Sequence, residues 1–99
     1  MKKRKSNVSR IHQLIQMLSE QNDTEKMGKI LADLCSPSEL EAMADRYFIL
    51  PMIAEGLSYR KIHEQSQVSI TTIGRVARHV HSGHGGYAQL LDDMVSTQI

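Results

Sequence analysis

The strongest constraint on the fold is the stretch over residues 57–80, in which two short helix patterns meet across a tight turn. Ser58 is placed to cap the first helix, and Ile62 is the apolar residue that this helix turns inward. The polar segment 65–67 predicts the turn, after which Val68 returns to the core. The first half of the stretch is therefore predicted to be a short helix that ends abruptly.

The second helix of this stretch begins after Ser69, whose hydroxyl is placed to cap it. Ile73, Ala77 and Val80 then recur at intervals that give the helix one apolar face. This is the outline of a helix-turn-helix, whose second helix enters the DNA major groove by its N-terminus. We therefore predict a helix-turn-helix over residues 58–80 and double-stranded DNA as its partner. An ordinary pair of packed helices is the alternative interpretation.

The side chains of the second helix suit contact with DNA, because small groups let a helix approach base edges and guanidinium groups reach phosphates. The small and hydroxyl residues are Ser69, Thr71, Thr72 and Gly74, and they are followed by Arg75 and Arg78. The turn departs from the usual pattern at two positions. Ser66 stands where such motifs bury an apolar residue, and Gln67 stands where glycine is favoured because the backbone needs a positive φ.

Charge is segregated along the chain, although the net charge of its 99 residues is only +1. Residues 1–10 carry +5, residues 11–56 carry −5, residues 57–84 carry +3 and residues 85–99 carry −2. An acidic partner such as DNA is expected to bind the basic segments rather than the acidic body. This pattern argues against the second function considered, a helical protein–protein interaction module on a helix-turn-helix scaffold without DNA specificity.

The length of the chain predicts one domain. The run of positive charges at the start predicts a disordered basic arm over residues 1–9, which either binds the minor groove or phosphates or serves as a solubilising tail. Residues 10–97 are predicted to form a single helical domain. Within it, apolar spacing predicts a helix over residues 8–21, which overlaps the arm, and a second helix capped by Asp23.

The clearest helix start is Ser36-Pro37-Ser38-Glu39, in which Ser36 is the N-cap and Glu39 closes a capping box. Pro51 is expected to interrupt the helix that follows, and Gly56 to stop it.

That helix is apolar on more than one face, which implies that a second subunit covers part of it. The residues concerned are Tyr47, Phe48, Ile49, Leu50, Met52 and Ile53. A last helix over residues 87–96 is expected to pack on the body or on a partner. Since no stretch alternates convincingly with period two, the prediction is an all-α fold of about six helices.

Several classes of protein do not fit the sequence. No apolar run approaches the roughly 18 residues of a membrane span, and nothing resembles a catalytic set, so neither a membrane protein nor an enzyme is predicted. Cys35 is the single cysteine, which excludes an internal disulfide and agrees with a cytoplasmic location. His79, His81 and His84 do not share one helix face, so no metal site is predicted.

Four segments, a glycine-rich turn and Tyr87 together carry a resemblance to a known family. The segments are Asp-Leu-Cys-Ser-Pro-Ser-Glu at 33–39, Arg-Tyr-Phe-Ile-Leu at 46–50, Glu-Gly-Leu-Ser-Tyr-Arg-Lys-Ile at 55–62 and Ser-Ile-Thr-Thr-Ile-Gly-Arg-Val at 69–76. Over roughly residues 10–96 the chain resembles the Trp repressor family, in particular its uncharacterised Trp-repressor-like branch. The resemblance implies an intertwined all-α homodimer that binds a two-fold symmetric operator.

The same resemblance implies a ligand site. In tryptophan-binding members two arginines sandwich the indole of the corepressor, and Arg46 and Arg75 match them here. Ser36 matches a contributing hydroxyl at the start of the long helix, and His79 stands where a small hydroxyl residue binds the ligand's amino group. Apart from tryptophan or another small corepressor, no cofactor is predicted.

One replacement disfavours tryptophan itself. Val76 takes the place of a glycine, and its branched side chain is expected to intrude beside the indole ring, which favours another ligand or none. Arg46 also has an alternative role, a structural ion pair with Glu41, Asp45 or another acid.

For DNA, the resemblance matches Arg60 to an arginine that contacts a base or a phosphate. It matches Ile70, Thr71 and Gly74 to groove-facing positions. Such side chains offer few base-specific hydrogen bonds, so specificity is expected to come largely from Arg60, water and DNA shape.

Overall fold

The computed structural model describes residues 7–96 and contains helices but no strands in that range. The helices are α1 (Val8–Ser19), α2 (Thr24–Leu34), α3 (Pro37–Phe48), α4 (Leu50–Ala54), α5 (Tyr59–Ser66), α6 (Ile70–Ser82) and α7 (Gly86–Ser96). The all-α prediction is confirmed. The number of helices exceeds the expected six because the helix that contains Pro51 is divided into α3 and α4.

The described chain falls into two compact units, which meet in sequence between Leu40 and Glu41. Each unit is considered by itself below. The first contains α1, α2 and the first turn of α3, and the second contains the remainder. The prediction of a single domain over residues 10–97 stays a prediction.

Helix α1 begins earlier than the predicted arm allows. The side chain of Asn7 accepts a hydrogen bond from the backbone N–H of Arg10 at 3.0 Å and caps the helix. Val8 and Ser9 are therefore helical, which corrects the boundary of the arm, and residues 1–6 lie outside the described residues. The far end of α1 is Ser19, two residues short of the predicted position.

The predicted caps of the next two helices are confirmed. Asp23 accepts hydrogen bonds from the N–H groups of Glu25 and Lys26 at the start of α2. The Ser36 hydroxyl accepts from the Glu39 N–H at 3.2 Å, and the Glu39 carboxylate accepts from the Ser36 N–H at 2.7 Å. The hydrogen bond from the Ser36 backbone N–H, and then that from the Ser36 side chain, hold the pKa of the Glu39 carboxylate below its ordinary value because they stabilise the charged form.

Helices α1 and α2 are amphipathic, yet neither contains a buried residue in the described chain. Val8 is 76% exposed, Ile15 is 57% exposed and Leu34 is 54% exposed. A helix with an apolar stripe gains most of its stability by packing that stripe against another surface. These two helices therefore present apolar faces that remain available for packing.

In the second unit, the break between α3 and α4 lies just before Pro51, as predicted. Proline cannot donate the backbone hydrogen bond that would continue the helix. The break changes the helical phase, and the consecutive residues Ile49 and Leu50 are both fully buried. Helix α4 ends at Ala54, and Gly56 follows with a φ of 81°, the left-handed conformation of a C-terminal glycine.

The turn of the helix-turn-helix lies over residues 67–69, two residues later than the predicted segment 65–67, because α5 continues through Ser66. Gln67 has a φ of 64°, which confirms the positive φ expected at this position. The Ser66 hydroxyl donates to the carbonyl of Ile62 at 2.6 Å and accepts from the N–H of Val68 at 3.1 Å. Serine thus satisfies backbone groups at the turn, where related motifs place an apolar side chain.

The core of the second unit joins α4, α5, α6 and the turn. Its buried members are Ile49, Leu50, Ile62, Val68, Ile73 and Val76. Tyr87 and Leu91 of α7 pack against this cluster from the other side. The core fixes α6 on α5, and it leaves the N-terminal end of α6 at the surface.

Candidate nucleic-acid interface and ligand cavity

The N-terminal end of α6 presents the residues that were predicted to face DNA. Thr71 is exposed and Ile70 is 47% exposed. The Ser69 hydroxyl is already engaged, since it accepts from the Thr72 N–H at 3.1 Å and donates to the Thr72 hydroxyl at 2.9 Å. Thr71 and Ile70 are therefore the freer side chains at this end, while Ser69 acts as the helix cap.

The three predicted arginines of the motif are all exposed, Arg60 on α5 and Arg75 and Arg78 on α6. Arg60 is not free, because its Nε lies 3.2 Å from a carboxylate oxygen of Glu64, one turn along α5. Both side chains stay largely in solvent, so this ion pair orients the guanidinium more than it stabilises the fold.

Gly74, which was predicted to face the groove, is buried. A Cβ at this position would lie 3.6 Å from Nη1 of Arg78 and 3.7 Å from Cε2 of Tyr59. The surface of α6 at this point is therefore formed by the Tyr59 ring and the Arg78 guanidinium. Helical side chains lean toward the N-terminus, which brings residue 78 back over residue 74.

The two arginines that match the ligand-binding pair lie on one cavity of about 210 Å³ in the second unit. Its lining consists of Ala42, Asp45, Arg46, Thr72 and Arg75. The Nε of Arg46 donates to the carbonyl of Ala42 at 3.1 Å, within its own helix. Arg46 forms no ion pair with Glu41 or Asp45, so the structural role considered for it with these two acids was wrong.

The other two predicted ligand residues, Ser36 and His79, are not among the residues that line this cavity. Ser36 belongs to the first unit, where its hydroxyl caps α3. His79 lines a different cavity of about 240 Å³ together with Gly83, His84, Gly86 and Tyr87. The structure thus brings Arg46 and Arg75 together and does not bring His79 to them.

Val76 is packed in the core of the second unit. It is 1% exposed, belongs to the core cluster and is not among the residues that line the cavity. The expected intrusion of Val76 beside an indole ring stays a prediction. The apolar stripe of α6 is wide enough to bury Ile73, Val76 and Ala77. Of these three residues, sequence spacing alone had assigned Ile73 and Ala77 to the core, but not Val76.

Sequence reasoning missed two residues of these surfaces. Tyr59, the first residue of α5, was not assigned a role, although its ring lies over Gly74. Asp45 was considered only as an ion-pair partner, but it supplies a carboxylate to the arginine cavity. A tyrosine one residue before a predicted DNA-contacting arginine was the available signal for the first.

Two further observations concern metal sites and membrane-spanning helices. Over residues 7–96, no group of three or more His, Cys, Asp and Glu side chains is arranged to hold a metal ion. Within the same range, none of the helices combines the length and the hydropathy that a membrane span needs.

Comparisons with known proteins agree with this geometry. The profile of the family described as Trp repressor protein matches residues 9–95. Uncharacterized protein YerC of Bacillus subtilis (strain 168) is 31% identical to this chain over 88 residues, which cover 89% of this chain and 85% of that protein.

Solved structures resemble the chain over most of its length. A TrpR like protein from Eubacterium eligens ATCC 27750 superimposes with a TM-score of 0.82 at 25% sequence identity and covers 89% of this chain and 91% of its own. A second structure, from Staphylococcus aureus, gives a TM-score of 0.81 at 27% sequence identity and covers 89% of this chain and 88% of its own. With the profile spanning both motif helices, the chain belongs to the Trp repressor family.

Proposed function

We propose that this protein is a homodimeric, sequence-specific DNA-binding regulator of transcription that works in the cytoplasm. The observation that carries the proposal is the helix-turn-helix of α5 and α6, in which Thr71 and Ile70 are exposed at the leading end of α6, and Arg60, Arg75 and Arg78 are exposed on the same two helices. Exposed guanidinium groups on a helix pair whose second helix presents its N-terminal residues suit contacts to a phosphate backbone.

A dimer is supported by the apolar surface that the single chain leaves uncovered. Tyr47 and Phe48 at the end of α3 are 55% and 56% exposed, in addition to the apolar faces of α1 and α2. Exposed apolar area of this extent favours association. A second copy of the chain would also present two recognition helices, which a palindromic site requires.

We also propose that a small ligand controls DNA binding. The cavity is lined by two arginines, Arg46 and Arg75, together with an acidic and a hydroxyl residue, Asp45 and Thr72. Such a set suits a small molecule with an anionic group, and an additional amino group would suit Asp45. Tryptophan and other amino acids meet this description.

The experiment that tests DNA binding is selection from a randomised duplex library at near-physiological salt, with purified protein and no added ligand. The expected result is enrichment of a palindromic site. If enrichment appears only after amino acids are added, the ligand-free protein cannot bind its DNA site and the ligand is a corepressor. A dimer that enriches no site under either condition and has no duplex affinity at low salt would favour a protein–protein interaction module instead.

A further inference from the structure

We propose that Tyr59 is a positioning residue for DNA recognition, and that its ring, seated on Gly74, holds the Arg78 guanidinium at the DNA-facing surface. This proposal rests on the proposed DNA-binding function. It concerns one point of the motif, where a residue of α5 and a residue of α6 cover the same glycine.

The contact geometry places one atom of the ring and one atom of the guanidinium beside the same point on α6. Nη1 of Arg78 and Cε2 of Tyr59 lie 3.6 Å and 3.7 Å from the position that a Cβ on residue 74 would take. Gly74 is buried although it lies one turn before the exposed Arg78. In the second unit, the two side chains that cover it are thus in van der Waals reach of a common point.

The environment of the two side chains distinguishes this contact from core packing. Tyr59 is 44% exposed and Arg78 is exposed, so both remain at the surface. An arginine beside an aromatic ring is attracted to it and loses fewer conformations when it later binds a phosphate. The ring therefore acts on DNA through Arg78, by reducing the entropy that Arg78 loses on binding.

Gly74 is the feature that makes this arrangement fit. A methyl group at residue 74 would meet the ring and the guanidinium at ordinary van der Waals distances, so alanine is tolerated. A longer side chain would have to displace the ring or the guanidinium, since an atom of each already lies within 4 Å of the Cβ position. The glycine thus acts as the seat of the pair and not as a point of contact with bases.

The test is a double-mutant cycle on the full-length protein, read as the dissociation constant for a short mixed-sequence duplex at several salt concentrations. The variants are Tyr59→Ala, Arg78→Ala and the double substitution, with Tyr59→Phe as the conservative change. A mixed-sequence duplex is sufficient because phosphate contacts are independent of base sequence.

We expect Tyr59→Ala to raise the dissociation constant about fivefold. The slope of log Kd against log salt should fall by up to about 0.9, toward the slope of the Arg78→Ala variant, because one phosphate contact is weakened. In the Arg78→Ala background, Tyr59→Ala should have no further effect, since the ring then has nothing to position. Tyr59→Phe should bind like the wild type because it keeps the ring. Lys29→Ala, which removes an exposed cation from α2, controls for loss of charge outside the motif.

Three outcomes would overturn the proposal. The first is a Tyr59→Ala variant that binds DNA like the wild type, and the second is independent effects of Tyr59→Ala and Arg78→Ala on the dissociation constant. The third is a loss of DNA affinity in Tyr59→Phe as large as in Tyr59→Ala, which would mean that the hydroxyl contacts DNA directly. Thermal unfolding of each variant excludes a loss of folded protein. A wild-type protein that binds no duplex would instead refute the proposed function itself, together with this role.

Discussion

The backbone N–H of Val68 donates a hydrogen bond to the side-chain hydroxyl of Ser66 at 3.1 Å, across the turn between the two motif helices. The same hydroxyl donates to the carbonyl of Ile62, so one serine serves a donor and an acceptor where α5 ends. The ring Nδ1 of His63 also lies 2.7 Å from the carbonyl of Val68. The turn is therefore held by side-chain hydrogen bonds, although it lacks the usual glycine.

Ser66→Ala is expected to lower the free energy of unfolding by about 1–2 kcal/mol, because it leaves the N–H of the buried residue Val68 without its acceptor. Chemical denaturation of the purified protein measures this change. Ser82→Ala is a matched control, since the Ser82 hydroxyl also donates to a helix carbonyl but lies in an exposed position. Equal stability losses in the two variants would contradict the role of Ser66 at the turn.

Gln67→Gly is expected to leave the protein as stable or to stabilise it by up to about 1 kcal/mol, because glycine removes the steric cost of a positive φ and adds only a smaller entropic cost. Gln65→Gly in the helical part of α5 should have the opposite sign and destabilise by about 1 kcal/mol. Thermal unfolding of the pair compares the two signs directly. Destabilisation by Gln67→Gly as large as that by Gln65→Gly would show that the Gln67 side chain matters more than its backbone conformation.

Ile73 and Ile70 separate stability from binding on one helix. Ile73 is fully buried, so Ile73→Ala is expected to cost about 2–5 kcal/mol of unfolding free energy. Ile70 is 47% exposed at the leading end of α6, so Ile70→Ala should change stability little and weaken DNA binding. Denaturation and duplex titration of both variants test the assignment. Unchanged DNA affinity in folded Ile70→Ala would remove this residue from the interface.

The Arg60–Glu64 pair is expected to influence sequence discrimination. Glu64→Gln removes a negative charge and weakens to a neutral hydrogen bond the 3.2 Å ion pair that orients Arg60, so binding to any duplex should strengthen a few-fold while the preference for the selected site falls. Competition between selected and scrambled duplexes measures the preference. Glu25→Gln breaks a similarly spaced pair with Lys29 outside the motif and should alter neither quantity.

The capping box of α3 predicts a pH dependence of stability. Because hydrogen bonds from Ser36 lower the pKa of Glu39 in the folded state, the charged carboxylate contributes stability above the pKa of the unfolded chain. This contribution is lost as the pH falls through the lower pKa of the folded state. Unfolding experiments from neutral to acidic pH should therefore give a smaller decline for Glu39→Gln than for the wild type.

A charge-matched variant separates the cap from charge alone. Glu41→Gln removes the same charge from the same helix without breaking the Ser36 hydrogen bonds. If Glu39→Gln and Glu41→Gln behave identically over this pH range, the capping box does not cause the dependence.

The sequence alone determined the helix boundaries near capping residues and helix breakers. Asp23, Ser36, Ser58 and Ser69 cap where they were expected to, and the interruption before Pro51 is confirmed. Each of these features depends on hydrogen bonds or steric clashes between residues no more than four positions apart, so local sequence contains the necessary information.

Only the tertiary structure decided which side of α6 is covered and by what. It buries Val76 in the core, seats Tyr59 over Gly74, joins Arg46 and Arg75 across one cavity and assigns His79 to another. Helical periodicity gives the direction in which a side chain projects from the axis of its own helix. It does not give the identity of the neighbouring element, because that depends on packing between residues distant in sequence.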